Sequence, residues 1–200
     1  MDTQAQNRNA MILGSHNSWS YLPVKRLWMK PIAFMAKCQS VDIRKQYGLG
    51  VRCFDLRIRS DKDGALQVAH GCVVYDIGLF ALMGMLSWLD KRGDVMVRIL
   101  HEVRNESQYT SNARFLFSDT CGYFVKQYPH IRFWCGKNLY NWQKDYDFGD
   151  DPSCEERYSS VCPPKLLAWW PWLWARLHNR EVRENGTESE ILLIDFVDIK

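Results

Sequence analysis

GVRCFDLRIR, residues 50–59, alternates apolar and charged side chains. Residues two apart in a strand share a face. Asp55, Arg57 and Arg59 therefore point one way, and Phe54, Leu56 and Ile58 the other. Charges do not line a dry core unpaired. This face must open onto something polar or be closed by salt bridges. Other apolar runs extend the pattern on either side. Met11–Gly14 is a short strand ending in SHNS, and Leu66–His70 is another, followed by Gly71. Asp94–Val103, Ile131–Cys135 and Ile191–Val197 read as further strands.

Longer helix-like stretches fall between them. Pro23–Ala36 carries a mixed basic and aromatic face, and Asp42–Tyr47 is stopped by Gly48. Ile77–Asp90 is closed by Gly93, while Gly122 weakens a helix over Ser107–Tyr128. Within Lys165–Val182 the second half is helical, because Pro171 can open a helix but not sit inside one. Gly136–Ser160 has no readable period. Alternating strands and helices predict an α/β fold with a parallel sheet. His16, Arg57, His70, His101 and Asp195 fall near the carboxyl ends of different strands, where a β/α barrel builds its site. Two hundred residues is short for eight β/α units. The expectation is one domain over residues 1–200, a compact, irregular TIM-like barrel with some helices reduced or missing.

Composition sets bounds on function. The formal charge is +3, and the basic residues are dispersed among nearly as many acidic ones. That gives a nucleic-acid role little support. Seven cysteines, an odd number without C-x-x-C spacing, argue against a disulfide framework or a zinc site, and for buried free thiols. The start, MDTQAQNRNA, lacks the apolar core of a signal peptide, and no run is long enough to span a bilayer. A soluble chain is expected, with the cytoplasm slightly favoured by the odd thiol count. Asn185-Gly186-Thr187 fits a glycosylation acceptor, a triplet frequent by chance.

Taken singly, His16 reads as a surface or capping histidine and His70 as a satisfied structural one. Together with Arg57 they are more specific. A phosphodiester attacked by its own neighbouring hydroxyl needs a base, an acid and a cation to offset charge on the phosphate. Histidine titrates near neutrality and can serve as either partner. Arg57 presents a fork of donors to phosphate oxygens, and Asp55 can orient it or a histidine.

The pieces LGSHNSWSY, CQSVDIRKQYGLGVRCFDLRIR, AHG ending at residue 71 and the closing ILLIDF resemble the catalytic X domain of the phosphatidylinositol-specific phospholipases C. The CQSVDIRKQYGLGVRCFDLR block looks most like single-domain members, bacterial or glycosylphosphatidylinositol-cleaving. The resemblance covers residues 11–104 and the last strand, and leaves 105–188 unaligned. It implies a TIM-like barrel and attack by the inositol 2-hydroxyl, releasing diacylglycerol and a cyclic inositol phosphate. It makes His16 the general base, His70 the general acid and Asp195 the partner of a catalytic histidine. Arg57 stands where calcium-dependent members carry a carboxylate, which implies no metal and no cofactor. Asn17 departs from the bacterial pattern, which has Asp there, and agrees with the calcium-dependent one. Asn17, Arg59 and His101 are the candidate substrate contacts, although His101 shares a strand face with Val97 and Ile99.

LPVKRLWMKPIAF falls where the bacterial enzymes have a short helix that touches the bilayer. Lys25, Arg26, Trp28 and Lys30 are accordingly expected at an anionic membrane interface. The tryptophan-rich LLAWWPWLWARLHNR is expected mainly to cover the barrel exterior. Two other readings stay open. A glycerophosphodiester phosphodiesterase would need carboxylates arranged around a divalent metal, and a non-catalytic inositol-lipid-binding barrel would keep the fold alone.

Overall fold

The computed structural model describes residues 11–60, 65–103, 110–138, 142–143 and 151–200. The MDTQAQNRNA start, and part of the 136–160 stretch without a readable period, lie outside them. Six strands run parallel in one curled sheet: β1 (Ile12–Ser15), β2 (Cys53–Ser60), β5 (Val95–Glu102), β6 (Ile131–Asn138), β8 (Cys154–Arg157) and β9 (Ile191–Ile194). Their order is β6-β5-β2-β1-β9-β8, with short β7 (Trp142–Gln143) antiparallel on β6. β3 (Leu66–His70) folds back antiparallel on β2, and β4 (Val73–Val74) on β3. Among the described residues the sheet is a half-barrel, as the expected irregular barrel implies.

The helical cover is uneven. α2 (Leu79–Asp90), α3 (Ser111–Gln127) and α4 (Pro171–Asn185) are full helices. Pro171 sits in the first turn of α4, where its missing N–H costs nothing. α3 runs through Gly122 without a break, because Ala113, Phe117, Cys121 and Phe124 bury one stripe at helical spacing. Between β1 and β2 lie only α1 (Ile43–Gly48), capped by Asp42 on the Lys45 N–H, and a 3₁₀ segment over Leu27–Met35. An α-helix over 23–36 does not form. Pro31 falls inside the segment and cannot donate to an α-helical ladder.

Alternation along the strands divides the core into two layers. Phe54, Leu56 and Ile58 of β2, with Val97 and Ile99 of β5, pack outward under the helices against Leu86, Phe117 and Phe124. Cys53, Met96, Trp134, Ile191 and Leu193 plug the barrel interior at the amino end of the strands. Cys38, Cys53 and Cys121 are buried free thiols, while Cys72 is an exposed one.

Gly14 sits where three strands meet. A methyl there would collide with Leu193 Cδ2 and lie 3.2 Å from Cys53 Cβ. Gly14→Ala is expected to cost about 1–3 kcal/mol by overpacking, measured as a lower urea midpoint. An unchanged midpoint would show the β1–β2–β9 seam to be looser than described.

Candidate active site

The inward face of β2 and β5 carries charge above the apolar plug. Asp55 accepts from Arg57 Nε (2.9 Å) and from Arg98 Nε (3.0 Å). Arg57 Nη1 reaches Glu102 (3.5 Å), and Arg98 Nη1 reaches Glu156 on β8. Asp55, Arg57 and Arg98 are all buried. The face that reads from sequence as open or salt-bridged is thus both, paired along its length and ending at the barrel mouth. Burial pushes the Asp55 carboxyl up, but Arg57 and Arg98 outweigh it and hold the group well below the usual carboxylate range. Burial likewise works against charge on Arg57, yet Asp55 and Glu102 keep it firmly protonated. Ionic networks of this depth rarely stabilise a fold more than apolar packing would. Their presence here points to a site.

His16 follows β1 directly and Asp195 follows β9, so the β1–β9 pairing brings them together. His16 Nδ1 and Asp195 Oδ1 are 2.6 Å apart, and both residues are buried. The backbone N–H and hydroxyl of Ser159 also approach Asp195, each at 3.3 Å. Gln39 fixes the junction, donating to the His16 and Ile194 carbonyls and accepting from the Val197 N–H. Burial, then Arg57, lowers the His16 pKa well below 6.5, and burial raises Asp195 to about 7. Both shifts disfavour a separated imidazolium–carboxylate pair. With one proton held between Oδ1 and Nδ1, His16 Nε2 carries a lone pair. That Nε2 is buried and has no hydrogen-bond partner among the described residues. A lone pair so placed can accept a proton.

His70, at the end of β3, faces it. The two imidazole centroids are 5.4 Å apart, edge to face. His70 Nδ1 donates to the Ala36 carbonyl (3.0 Å), and burial, then Arg57, lowers its pKa. Gly71 has φ +56 and turns its N–H onto Glu102 (2.8 Å), tying the β3 end to the charged layer. Asn17 also takes a positive φ (+43), and its N–H donates to Asp55 (2.9 Å). Its side-chain amide lies 3.4 Å from the Tyr75 hydroxyl. Arg59 stays at the rim, donating to the Gly71 carbonyl (3.2 Å).

The structure therefore gathers His16, His70, Asp55, Arg57, Asp195 and Asn17 at one mouth. It does not bring His101 there. His101 shares the outward face of β5 with Val97 and Ile99, and its ring stacks on Phe117 of α3 at 4.5 Å. The reading of His101 as a substrate contact is corrected: Arg98 and Glu102 occupy the inward face instead. Burial lowers the His101 pKa to about 4, from 6.5. The unfolded chain then binds a proton that the fold excludes, so stability present above pH 6.5 is lost as pH falls toward 4. The loss from this one group is about 3 kcal/mol. Urea midpoints between pH 7 and 4 should show that slope flattened in His101→Gln; an equal slope in the variant would contradict the assignment.

Several site residues carry no sequence signal of their own. Tyr158, next after β8, stacks flat on His16 with ring centroids 3.6 Å apart and donates to Glu156 (2.9 Å). It comes from the stretch without a readable period. Cys38 Sγ lies 3.8 Å from His70 Nδ1. His16, Cys38 and His70 each offer a ligand atom, all within 4.8 Å of one another, and are the described residues that could hold a metal.

Lys25, Arg26, Trp28 and Lys30 are all exposed along the 3₁₀ segment, Trp28 by 68%. The tryptophan-rich stretch divides. Trp174 packs into the core, but Trp169 and Trp170 are 69% and 53% exposed, so the expected cover of the barrel exterior fails for them. Phe34 and Trp170 touch, with ring centroids 6.4 Å apart, which joins the two segments into one apolar rim. Among the described residues no helix is long and apolar enough to cross a membrane.

A half-barrel of parallel strands with a histidine–carboxylate pair, a second histidine and a buried arginine at its mouth has the fold of the bacterial phosphatidylinositol-specific phospholipases C. The chain is similar over 94% of its length to the phosphatidylinositol-specific phospholipase C of Listeria monocytogenes, of which it covers 89%, at TM-score 0.62 and 14% identity. A variant of the Staphylococcus aureus phosphatidylinositol-specific phospholipase C matches over 92% of this chain and 84% of that one, at TM-score 0.60 and 15% identity. In sequence, 74 residues are 39% identical to the 1-phosphatidylinositol phosphodiesterase of Staphylococcus aureus strain Newman. That stretch is 34% of this chain and 22% of the relative. No protein-family model matches the chain.

Proposed function

We propose that this chain is a phospholipase C acting on inositol phospholipids, either phosphatidylinositol or its glycosylated forms, at a membrane surface. The observation that carries the reading is the pairing of His16 Nε2, unpartnered and backed by Asp195, with His70 across the same mouth. His16 takes the proton of the inositol 2-hydroxyl, which attacks the adjacent phosphorus. The phosphorus–oxygen bond to glycerol breaks, and His70 protonates the departing diacylglycerol oxygen. Arg57, charged and oriented by Asp55, offsets negative charge growing on the phosphate, the task a calcium ion would otherwise perform. Asn17, Arg59 and Tyr158, at or beside the mouth, are the groups this reading assigns to the sugar.

The glycerophosphodiester phosphodiesterase reading is weaker, because Asp55 and Glu102 are engaged by Arg57 instead of converging on an open cation position. Diacylglycerol release from phosphatidylinositol vesicles, absent with phosphatidylcholine vesicles, is the expected result. Release from glycerophosphodiesters alone would favour the rival.

The exposed rim is the membrane contact of this proposal. Lys25, Arg26 and Lys30 lie beside Trp28, and Ala36, at the end of the same segment, holds His70 through its carbonyl. Docking the rim would therefore seat the mouth against the lipid head groups. Trp28→Ala combined with Trp170→Ala removes two aromatic anchors worth about 2 kcal/mol each. Sedimentation with anionic vesicles should show binding weakened at least tenfold; retained binding would place the contact elsewhere.

A further inference from the structure

Cys38 takes no part in the proposed phosphodiester chemistry, yet its thiol is buried at the mouth between the two histidines. We propose that His16, Cys38 and His70 form a binding site for a soft divalent cation of the zinc type, which when bound shuts off the acid–base pair. The shut-off half rests on the phospholipase reading; the binding half stands by itself.

The donor set argues the class of ion. Two imidazoles and a thiolate suit zinc or cadmium and suit calcium or magnesium poorly, since those take oxygen ligands. His16 Nε2 is a buried ligand atom with no hydrogen-bond partner among the described residues. His16 also has its other ring nitrogen, Nδ1, engaged by the Asp195 carboxylate. Anchoring of that kind turns the opposite nitrogen toward a metal and raises its basicity. The three ligand atoms lie within 4.8 Å of one another. A tetrahedral site with bonds of 2.0–2.3 Å needs them roughly 3.5 Å apart. Cys38 Sγ and His70 Nδ1 already stand at 3.8 Å, and a metal there takes the Nδ1 lone pair in exchange for that nitrogen's hydrogen bond to the Ala36 carbonyl. Three protein ligands leave a fourth position for water.

Charge around the site is mixed. Arg57 and Arg98 oppose a cation, while Asp55, Glu102, Glu156 and Asp195 favour one. A thiol ligates a metal as its thiolate. As the sulfur–metal bond forms, the S–H bond breaks and its proton goes to solvent, with no electron transferred. Binding should therefore tighten as pH rises.

The test is a titration of the full chain with Zn²⁺ by calorimetry, and with Cd²⁺ followed by its thiolate charge-transfer absorption. One ion per chain is expected. Cys38→Ser should remove the absorption band and weaken Zn²⁺ by more than the about 100-fold of an outer-shell change. Cys72→Ser, at an exposed thiol, should leave both unchanged. His70→Ala, checked for fold by circular dichroism, tests the site if Cys38→Ser unfolds, and should also weaken Zn²⁺. Parent-like Zn²⁺ affinity in the folded variants overturns the site. In the lipid assay, Zn²⁺ should inhibit the parent reversibly on addition of chelator. A filled site with an undiminished rate overturns the shut-off. Absence of lipid cleavage in any condition removes the phospholipase reading and leaves the binding result as measured.

Discussion

His16→Ala is expected to lower kcat/KM for phosphatidylinositol cleavage by about 10²–10⁴-fold, the usual worth of a positioned general base. The loss should fall mainly on kcat, because His16 acts in the transition state and holds little of the ground-state substrate. His70→Ala should cost a similar factor through the leaving group. The double variant should be little worse than either single one, since an acid and a base that serve one concerted transfer are not additive. Asp195→Asn keeps the shape of the pair but removes the carboxylate that accepts from His16 Nδ1. It should fall between the parent and His16→Ala. Steady-state rates on mixed vesicles settle each comparison. Parent-like turnover in His16→Ala would remove His16 as the base, and vesicle binding by a parent that releases no inositol phosphate would instead identify a lipid-binding barrel without catalysis.

Replacing Arg57 should produce the second large effect, and on two readouts at once. In the fold, Arg57 pairs with two buried carboxyl groups, those of Asp55 and Glu102. Arg57→Ala leaves Glu102 without that partner and leaves Asp55 with Arg98 alone among those cations, at a cost of about 3–5 kcal/mol. In the proposed reaction it removes the cation that offsets charge on the phosphate, worth about 10²–10³ in kcat. The two effects separate in Arg57→Lys. A lysine retains the charge but not the fork that spans Asp55 and Glu102. Stability measured by urea should be largely recovered, while kcat stays low. Full recovery of kcat by lysine would show that only net charge matters.

Much of this was legible before any coordinates, and for identifiable reasons. The alternation in 50–59 set which β2 side chains face inward, and adjacency to strand ends placed His16, His70 and Asp195 at one mouth. Those signals are local in the chain, and parallel pairing converts them into proximity. Alternation along β5 likewise put His101 with Val97 and Ile99 and put Arg98 and Glu102 opposite. The resemblance suggested a basic residue at His101, and the strand face overruled it. Tyr158 and Glu156 escaped because they lie in a stretch whose pattern is neither two nor 3.6. Cys38 escaped because a buried thiol has no sequence mark separating packing from ligation; only its distance to two histidines does that. Trp169 and Trp170 resemble Trp174 in composition, and it was the placement of Pro171 at the start of α4 that left them outside the helix, exposed beside Phe34.

Underlying all of it is the claim that two imidazoles and a guanidinium can cleave the diester by the substrate's own hydroxyl without a bound metal. Phosphorus NMR of the products from phosphatidylinositol, with the full chain incubated in excess EDTA, measures this directly. A cyclic inositol phosphate accumulating at the rate seen without chelator is the predicted result. No turnover in EDTA, restored by calcium, or an acyclic phosphate as the first product, would contradict it.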